Sequence, residues 1–519
     1  MLMASANFSL AQAPGGVVGG ATGSLPSLGD NSELSAAAER RIGDRIAASI
    51  YRDPDYVDDP VLGDYLQSIW QPLLTSARAR GELQAELDER FAWQVFLIRD
   101  RSINAFALPG GYFGVHLGLI GSVGTSDEMA AVLAHELSHV TQRHISRLMT
   151  QQNRQAPWML AAMILGAMAA SKSPDAAAAA MVGGQALAVQ GQLNFSRDME
   201  READRVGFGV MEGAGFESRG VAAMFEKLQQ ASRINDSGAF PYLRSHPLTT
   251  QRIAEAQSRL QLASATAVKP SRQSQADAGK AQVLHAMMAA RARILALPGV
   301  DALRVMVAEA QRRSASLQAL ASPASAANIG DAGALYGGAL AAAQLRDFAG
   351  ARSLLAQLKP LAAEIPRANA ALELLGIEID LLAGGVPPSA ASVDMARIHS
   401  RAEVLTQSRA LMAAHRPRDV SERLQTWVAA HPKDAMAWQL LATAYGQQNQ
   451  SVRAIRADAE SRAAQLDYPA ALDRLKAAQA LMRSKPGSAD YVEGSIIDTR
   501  TRQLELLIKE QALQDKIDR

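Results

Sequence analysis

The chain contains no cysteine. Disulfides, thiolate metal sites and thiol nucleophiles are thereby excluded, and any transition metal must be held by His, Asp or Glu. Aromatic residues are scarce at 5%, whereas alanine is abundant, especially after residue 260. That balance suits closely packed helices better than sheets. An excess of charge is missing too, since 53 basic residues offset 52 acidic ones for a net charge of +1. Nothing in that balance attracts nucleic acid or an anionic membrane. No segment reaches the roughly 18 consecutive apolar residues that span a bilayer. The nearest runs, Trp158 to Ala170 and Ala176 to Val189, are short, rich in Ala and Gly, and separated by Ser171-Lys172-Ser173-Pro174-Asp175. The chain reads as soluble, and its 519 residues suffice for two or three domains with real cores.

Residues 1–34 read as a flexible leader or a remnant signal peptide. Ala11-Gln12-Ala13 resembles the end of a secretory signal, yet the first basic residue is Arg40. A helix is expected from Ser35 to about Tyr51, and a second after Asp58-Asp59-Pro60, with Leu62, Tyr65, Leu66, Ile69 and Trp70 at helical spacing. Phe91 to Ile98 has the bias of a strand, and residues 104–116 read as two short strands joined by Pro109-Gly110-Gly111. Thr125-Ser126-Asp127-Glu128 matches a capping box opening a helix from about Ser126 to Met149. Another helix covers about Asp198 to Glu212 and stops at Gly213 and Gly215, and a further one starts near Thr250. The first 265 residues thus form an α+β unit. From about 275 onward no strand is convincing. Trp438, Leu441, Ala442 and Tyr445 fit the spacing of a tetratricopeptide helix, and Asp347-Phe348 with Ala351 and Leu355 is echoed by Asp467-Tyr468 with Ala471 and Leu475. A paired-helix solenoid is the better account, an irregular helical bundle the alternative. The division expected is a domain at 35–265, a helical linker at 266–325 and a tetratricopeptide-like repeat domain at 326–519.

The chemistry-bearing stretch is His135-Glu136-Leu137-Ser138-His139. Four positions at 100° each set the two imidazoles about 40° apart on one helix face, where they can converge on one cation. Glu136 is close enough to take a proton from water at that cation. The alternative is an amphipathic helix with ordinary hydrogen-bonded histidines. Against it, Ala131, Val132 and Leu133 mark a buried helix in which two uncoordinated histidines and a glutamate are expensive to desolvate. A catalytic zinc needs a third protein ligand. Glu200 is the candidate, with Asp204 on the same face one turn later, able to accept a hydrogen bond from a ligating ring, while Glu202 points elsewhere. Arg197, Arg201 and Arg205 leave room for a merely solvated charged helix.

These residues, with Asn104-Ala105-Phe106-Ala107-Leu108-Pro109-Gly110-Gly111 ahead of them, resemble the metallopeptidase family that includes HtpX and the CAAX prenyl proteases. The pattern of that family is H-E-x-x-H followed by E-x-x-x-D. The resemblance covers about residues 35–265 and implies a zincin-like α+β metallopeptidase domain followed by the all-α repeats. It implies one Zn2+ held by His135, His139 and Glu200, catalysis by Glu136, and an accessory acidic role for Asp204. It further implies an exported, periplasmic endopeptidase acting on unfolded, misfolded or stalled proteins. The repeats would dock the outer-membrane protein assembly machinery, and peripheral contact with a membrane is allowed. A chaperone or scaffold with a latent zinc site is the competing function. An integral membrane prenyl-type protease is disfavoured by the short apolar runs.

Three other features carry expectations. His246, held in Ser245-His246-Pro247, could stabilise an oxyanion in catalysis or fill the open zinc position and keep the enzyme latent. His144 lies 140° round a continuous helix from His139 and should face away, and His116 reads as surface. The strand at Phe106 could pair with an extended substrate, and the Met- and Ala-rich segment 156–190 could be a lid, a docking surface or core.

Overall fold

A computed structural model describes residues 34–151, 197–234, 242–266, 272–318, 329–391, 398–484 and 491–517. The expected leader and the 156–190 segment lie outside these residues. The first half begins with α1 (Ala36–Arg52), capped by Ser35, whose hydroxyl accepts from the Ala38 amide. A short strand β1 (Tyr56–Val57) leads to α2 (Pro60–Ala79). Asp59 caps α2 by accepting from the Leu62 amide at 2.8 Å, and Pro60 stands at the first helical position, where its missing N–H costs nothing. After α3 (Ala85–Arg90) come β2 (Gln94–Ile98), β3 (Ala105–Leu108) and β4 (Tyr112–His116).

The four strands run β1-β2-β4-β3 across one sheet. β2 is antiparallel to β1 and parallel to β4, with Gln94 opposite Tyr112; β3 is antiparallel to β4, with Ala105 opposite Val115. The turn between β3 and β4 requires its glycines. Gly110 and Gly111 have φ of 74° and 77°, and a Cβ on Gly110 would come within 2.8 Å of the Arg40 Cα. β3 is one of the two edge strands of this sheet and runs against α5 (Ser126–Thr141), which follows the short α4 (Leu117–Ser122).

α5 starts where the capping residues predict, with Thr125 accepting from the Glu128 amide. It does not run on to Met149. It ends at Thr141, Arg143 adopts φ 55°, and a new helix α6 (His144–Gln151) begins. α7 (Arg197–Gly213) lies across α5, close enough that a Cβ on Gly207 would sit 3.1 Å from the Ala134 carbonyl oxygen. α8 (Arg219–Ile234), the single turn α9 (Tyr242–Ser245) and α10 (Thr250–Thr266) complete this half.

All later elements among the described residues are helical. α11 (Arg272–Leu295) packs on α4 and α13 (Ile329–Gln344), and adds Met287 and Met288 to the core containing Leu62, Trp70 and Leu133. With α12 (Val300–Gln318), α14 (Phe348–Ala362) and α15 (Pro366–Leu382) it extends that core towards α16 (Arg401–Ala413). Successive helices α17 (Pro417–Ala430), α18 (Ala435–Gln447), α19 (Ser451–Ala464), α20 (Tyr468–Ser484) and α21 (Tyr491–Ile517) each pack on the one before. The architecture is therefore a zincin-like α+β domain followed by an all-helical array. Trp438, Leu441 and Tyr445 are buried on α18. The two echoed aspartates do the same work, Asp347 accepting from the Gly350 amide at the start of α14 and Asp467 from the Ala470 amide at the start of α20. Ala351, Leu355, Ala471 and Leu475 are all buried behind them.

Two arginines tie the halves together. Arg291 on α11 donates two bonds to Asp59, at 2.9 and 2.6 Å, and two to Glu378 on α15, at 2.9 and 2.8 Å. Arg401 on α16 donates to Asp58 at 2.7 and 2.8 Å and to Asp434 at 3.0 and 2.8 Å. Burial alone would raise the Asp59 carboxyl, but the charge and hydrogen bonds of Arg291 hold it below its ordinary 3.8. A depressed carboxyl contributes stability that is present above its unfolded value and lost as pH falls through its folded one. Asp59→Asn is therefore expected to flatten the acid limb of stability, seen as a smaller drop in melting temperature below pH 4. Arg291→Ala, which takes the shared guanidinium from two carboxylates, should cost about 3–5 kcal/mol at pH 7 in chemical denaturation.

Candidate metal centre

Four buried donors converge between α5, α7 and the turn after α9. His135 and His139 present their Nε2 atoms 3.0 Å apart, and each lies 3.5 Å from a carboxylate oxygen of Glu200. His246 completes the group, with Nδ1 3.3 Å from His135 Nε2 and 3.0 Å from Glu200 Oε1. A tetrahedral cation with bonds of about 2.1 Å, as zinc makes, holds its donors about 3.4 Å from one another. The observed spacings of 3.0–3.5 Å fit that requirement.

Charge makes the same case. Glu136, Glu200 and Asp204 are gathered here, and among the described residues Arg252 is the permanent cation that touches Glu200 and Asp204. Burial opposes ionised Glu200, yet His246 and His135 hold its carboxyl far below the ordinary range. Burial would lower His135, but hydrogen bonds to Asp204 and Glu200 carry it up to about 10. The cluster therefore calls for positive charge, which a proton on His135 provides in the bare protein and a divalent ion would provide in its place.

Behind the donors stand the groups that aim them. His135 Nδ1 lies 3.0 Å from Asp204 Oδ1, and Arg252 grips Asp204 with bonds of 2.6 and 2.8 Å. The same guanidinium reaches Glu200 Oε2 at 2.7 Å and the Pro247 carbonyl oxygen at 2.9 Å, so it also fixes the turn that carries His246. Glu136 is buried, which raises its carboxyl, and its Oε1 is 3.4 Å from His246 Nε2. Tyr242 stacks on His246 with ring centres 4.6 Å apart.

All six residues singled out by spacing and motif, His135, Glu136, His139, Glu200, Asp204 and His246, meet in this one place. His144 does not face away. Because α5 stops at Thr141, it turns back so that its Nδ1 lies 2.9 Å from His139 Nδ1, and its Nε2 is 3.0 Å from Glu202 Oε2. His116 is buried rather than on the surface, with Nδ1 2.9 Å from Ser102 Oγ. Arg252 and Tyr242 went unread. The only trace was their distance from His246, six residues after it and four before, which sets them on flanking helices.

An H-E-x-x-H helix whose rings meet a glutamate from a second buried helix defines the metallopeptidase class. Residues 64–260 match the model of Peptidase family M48. It is 35% identical to a putative beta-barrel assembly-enhancing protease of Vibrio cholerae over 237 residues, covering 45% of this chain and 47% of that one. That match spans about half of the relative's length. The beta-barrel assembly-enhancing protease of Yersinia pestis is 29% identical over 490 residues, 93% of this chain and 92% of that one. A mitochondrial metalloendopeptidase OMA1 of Arabidopsis thaliana is 28% identical over 160 residues, 31% of this chain and 30% of that one.

Removing Arg252 isolates its role. Arg252→Ala should destabilise the metal-free protein by about 3–5 kcal/mol, because Asp204 and Glu200 lose their buried counter-charge. Excess divalent ion should shrink that loss, as unfolding in chelator and in added metal would show.

Proposed function

We propose that the protein is a zinc-dependent endopeptidase in which His135, His139 and Glu200 hold the metal and Glu136 is the catalytic base. The observation that carries this reading is the convergence of four buried donor atoms, all within 4.8 Å of one another, with Glu136 beside them. When bound, zinc supplies Lewis acidity to the peptide carbonyl and acidifies water. Glu136 takes the proton of the attacking water at a carboxylate oxygen and returns it to the leaving amine. Its burial favours holding that proton between the two steps. Asp204 keeps His135 in the tautomer that offers Nε2 to the ion. The open edge of β3, alongside α5, suits an extended substrate pairing as an added strand.

The closeness of His246 to His135 and Glu200 supports reading the resting enzyme as self-inhibited, with this ring in the position that water or substrate would take. Cleavage then requires the Ser245-His246-Pro247 turn to withdraw, after which the same ring can stabilise the oxyanion. The substrates proposed are misfolded or stalled proteins of outer-membrane assembly, in the periplasm, with the tetratricopeptide-like helices as the docking module for the assembly machinery. The names of the Vibrio and Yersinia relatives support this context. The occupied fourth position also favours a second reading, a chaperone or scaffold for that assembly whose zinc site stays latent.

Casein degradation and zinc content separate the two. Wild type and Glu136→Gln should each bind about one zinc, the variant cleaving at least 100-fold more slowly because general-base catalysis is worth about 10²–10⁴. His246→Ala should retain zinc and, if self-inhibition is right, change the rate. Zinc binding with no cleavage by wild type or His246→Ala would favour the scaffold, and no zinc in any of them would end the proposal.

A further inference from the structure

His139 is fully buried, and its two ring nitrogens have different duties. Nε2 belongs to the donor group, while Nδ1 lies 2.9 Å from His144 Nδ1. A ring that offers Nε2 to a cation keeps its proton on Nδ1 and has to donate it. His144 must then accept at Nδ1 and carry its own proton on Nε2, which lies 3.0 Å from Glu202 Oε2. Glu202 also accepts from Arg147 at 2.9 Å, so its charge is held in place. One tautomer of each ring satisfies every bond in the line.

The backbone is bent to make this contact. A continuous helix would set His144 about 140° away from His139. Instead Arg143 takes a left-handed conformation at φ 55°, which is unfavourable for a non-glycine residue. Its guanidinium anchors the bend on the Leu34 carbonyl oxygen and on Glu39 Oε2. The outcome mirrors the other ring, since His135 is backed by Asp204 and Arg252. Both backing carboxylates come from α7, two residues and four residues beyond Glu200.

We propose that His144, held by Glu202 and Arg147, is a positioning residue for the metal, fixing the tautomer and ring plane of His139. The inference rests on the zinc reading above and extends it to a residue outside the motif. An ordinary core histidine would need only space and any partner for its nitrogens. Here both nitrogens are spent on one line from a donor ring to an arginine-paired carboxylate.

The test uses the full chain, with Zn2+ affinity measured against a chromophoric chelator and the visible spectrum recorded with Co2+. His144→Leu should weaken Zn2+ about 10- to 100-fold and alter the Co2+ bands, the range known for lost outer partners of metal-bound histidines. His144→Asn restores an amide oxygen near the lost Nδ1 and should recover most of the affinity. A packing role would give the opposite order, because leucine fills the space better. Glu202→Gln, at a half-buried site, should show a smaller loss with an altered spectrum, and it serves as the test should the leucine variant not fold. Wild-type affinity and bands in His144→Leu would overturn the proposal, as would the reversed order of Leu and Asn. If the leucine variant does not fold, wild-type behaviour of Glu202→Gln overturns it. Wild type that binds neither ion is a different result, since it removes the zinc reading itself and this inference with it.

Discussion

Two buried helices crossing at close range govern the site. α5 carries imidazoles and α7 carries carboxylates, and neither set tolerates burial alone. Together they neutralise one another, which is why Gly207 matters as much as any charged residue. A Cβ there would press on the Ala134 carbonyl at 3.1 Å, so the close crossing leaves little room for any side chain. The crossing also explains why acids two residues apart serve different rings. Glu200 faces both histidines, while Glu202 and Asp204 diverge to either side and meet the far nitrogens of His144 and His135.

Much of this was legible because it is local. His135, Glu136 and His139 lie within two turns of one helix, so spacing alone sets their geometry. Glu200 and Asp204 share a face for the same reason. The caps at Ser35, Asp59 and Thr125 and the Pro-Gly-Gly turn were readable from residue chemistry, and each begins or ends an element as expected. His144 was misjudged because its angle was reckoned along an unbroken helix, and Gln142-Arg143 contains no residue that marks a break. Arg252 escaped because a salt bridge between distant segments leaves no local pattern. The sheet order, with β4 between β2 and β3, is equally invisible to alternation within single strands.

The site is also assembled from unequal kinds of support. His135 and His139 stand on a long helix inside the core, with no freedom to drift. His246 stands on a turn between the single-turn α9 and α10, held by the stacked Tyr242 ring and by Arg252 on the Pro247 carbonyl. Among the four donors, His246 is therefore the one on the shortest support.

The adjacent aspartates Asp58 and Asp59 are gripped from two different helices of the second half, one by Arg401 and one by Arg291. Such a clamp leaves no hinge at that point between the crossing helices and the array that follows. Any change of angle between the crossing helices and the array has to arise elsewhere in the chain. The metal-site helices and the first helices of the array are thus one mechanical piece at Asp58 and Asp59, whatever the rest of the array does.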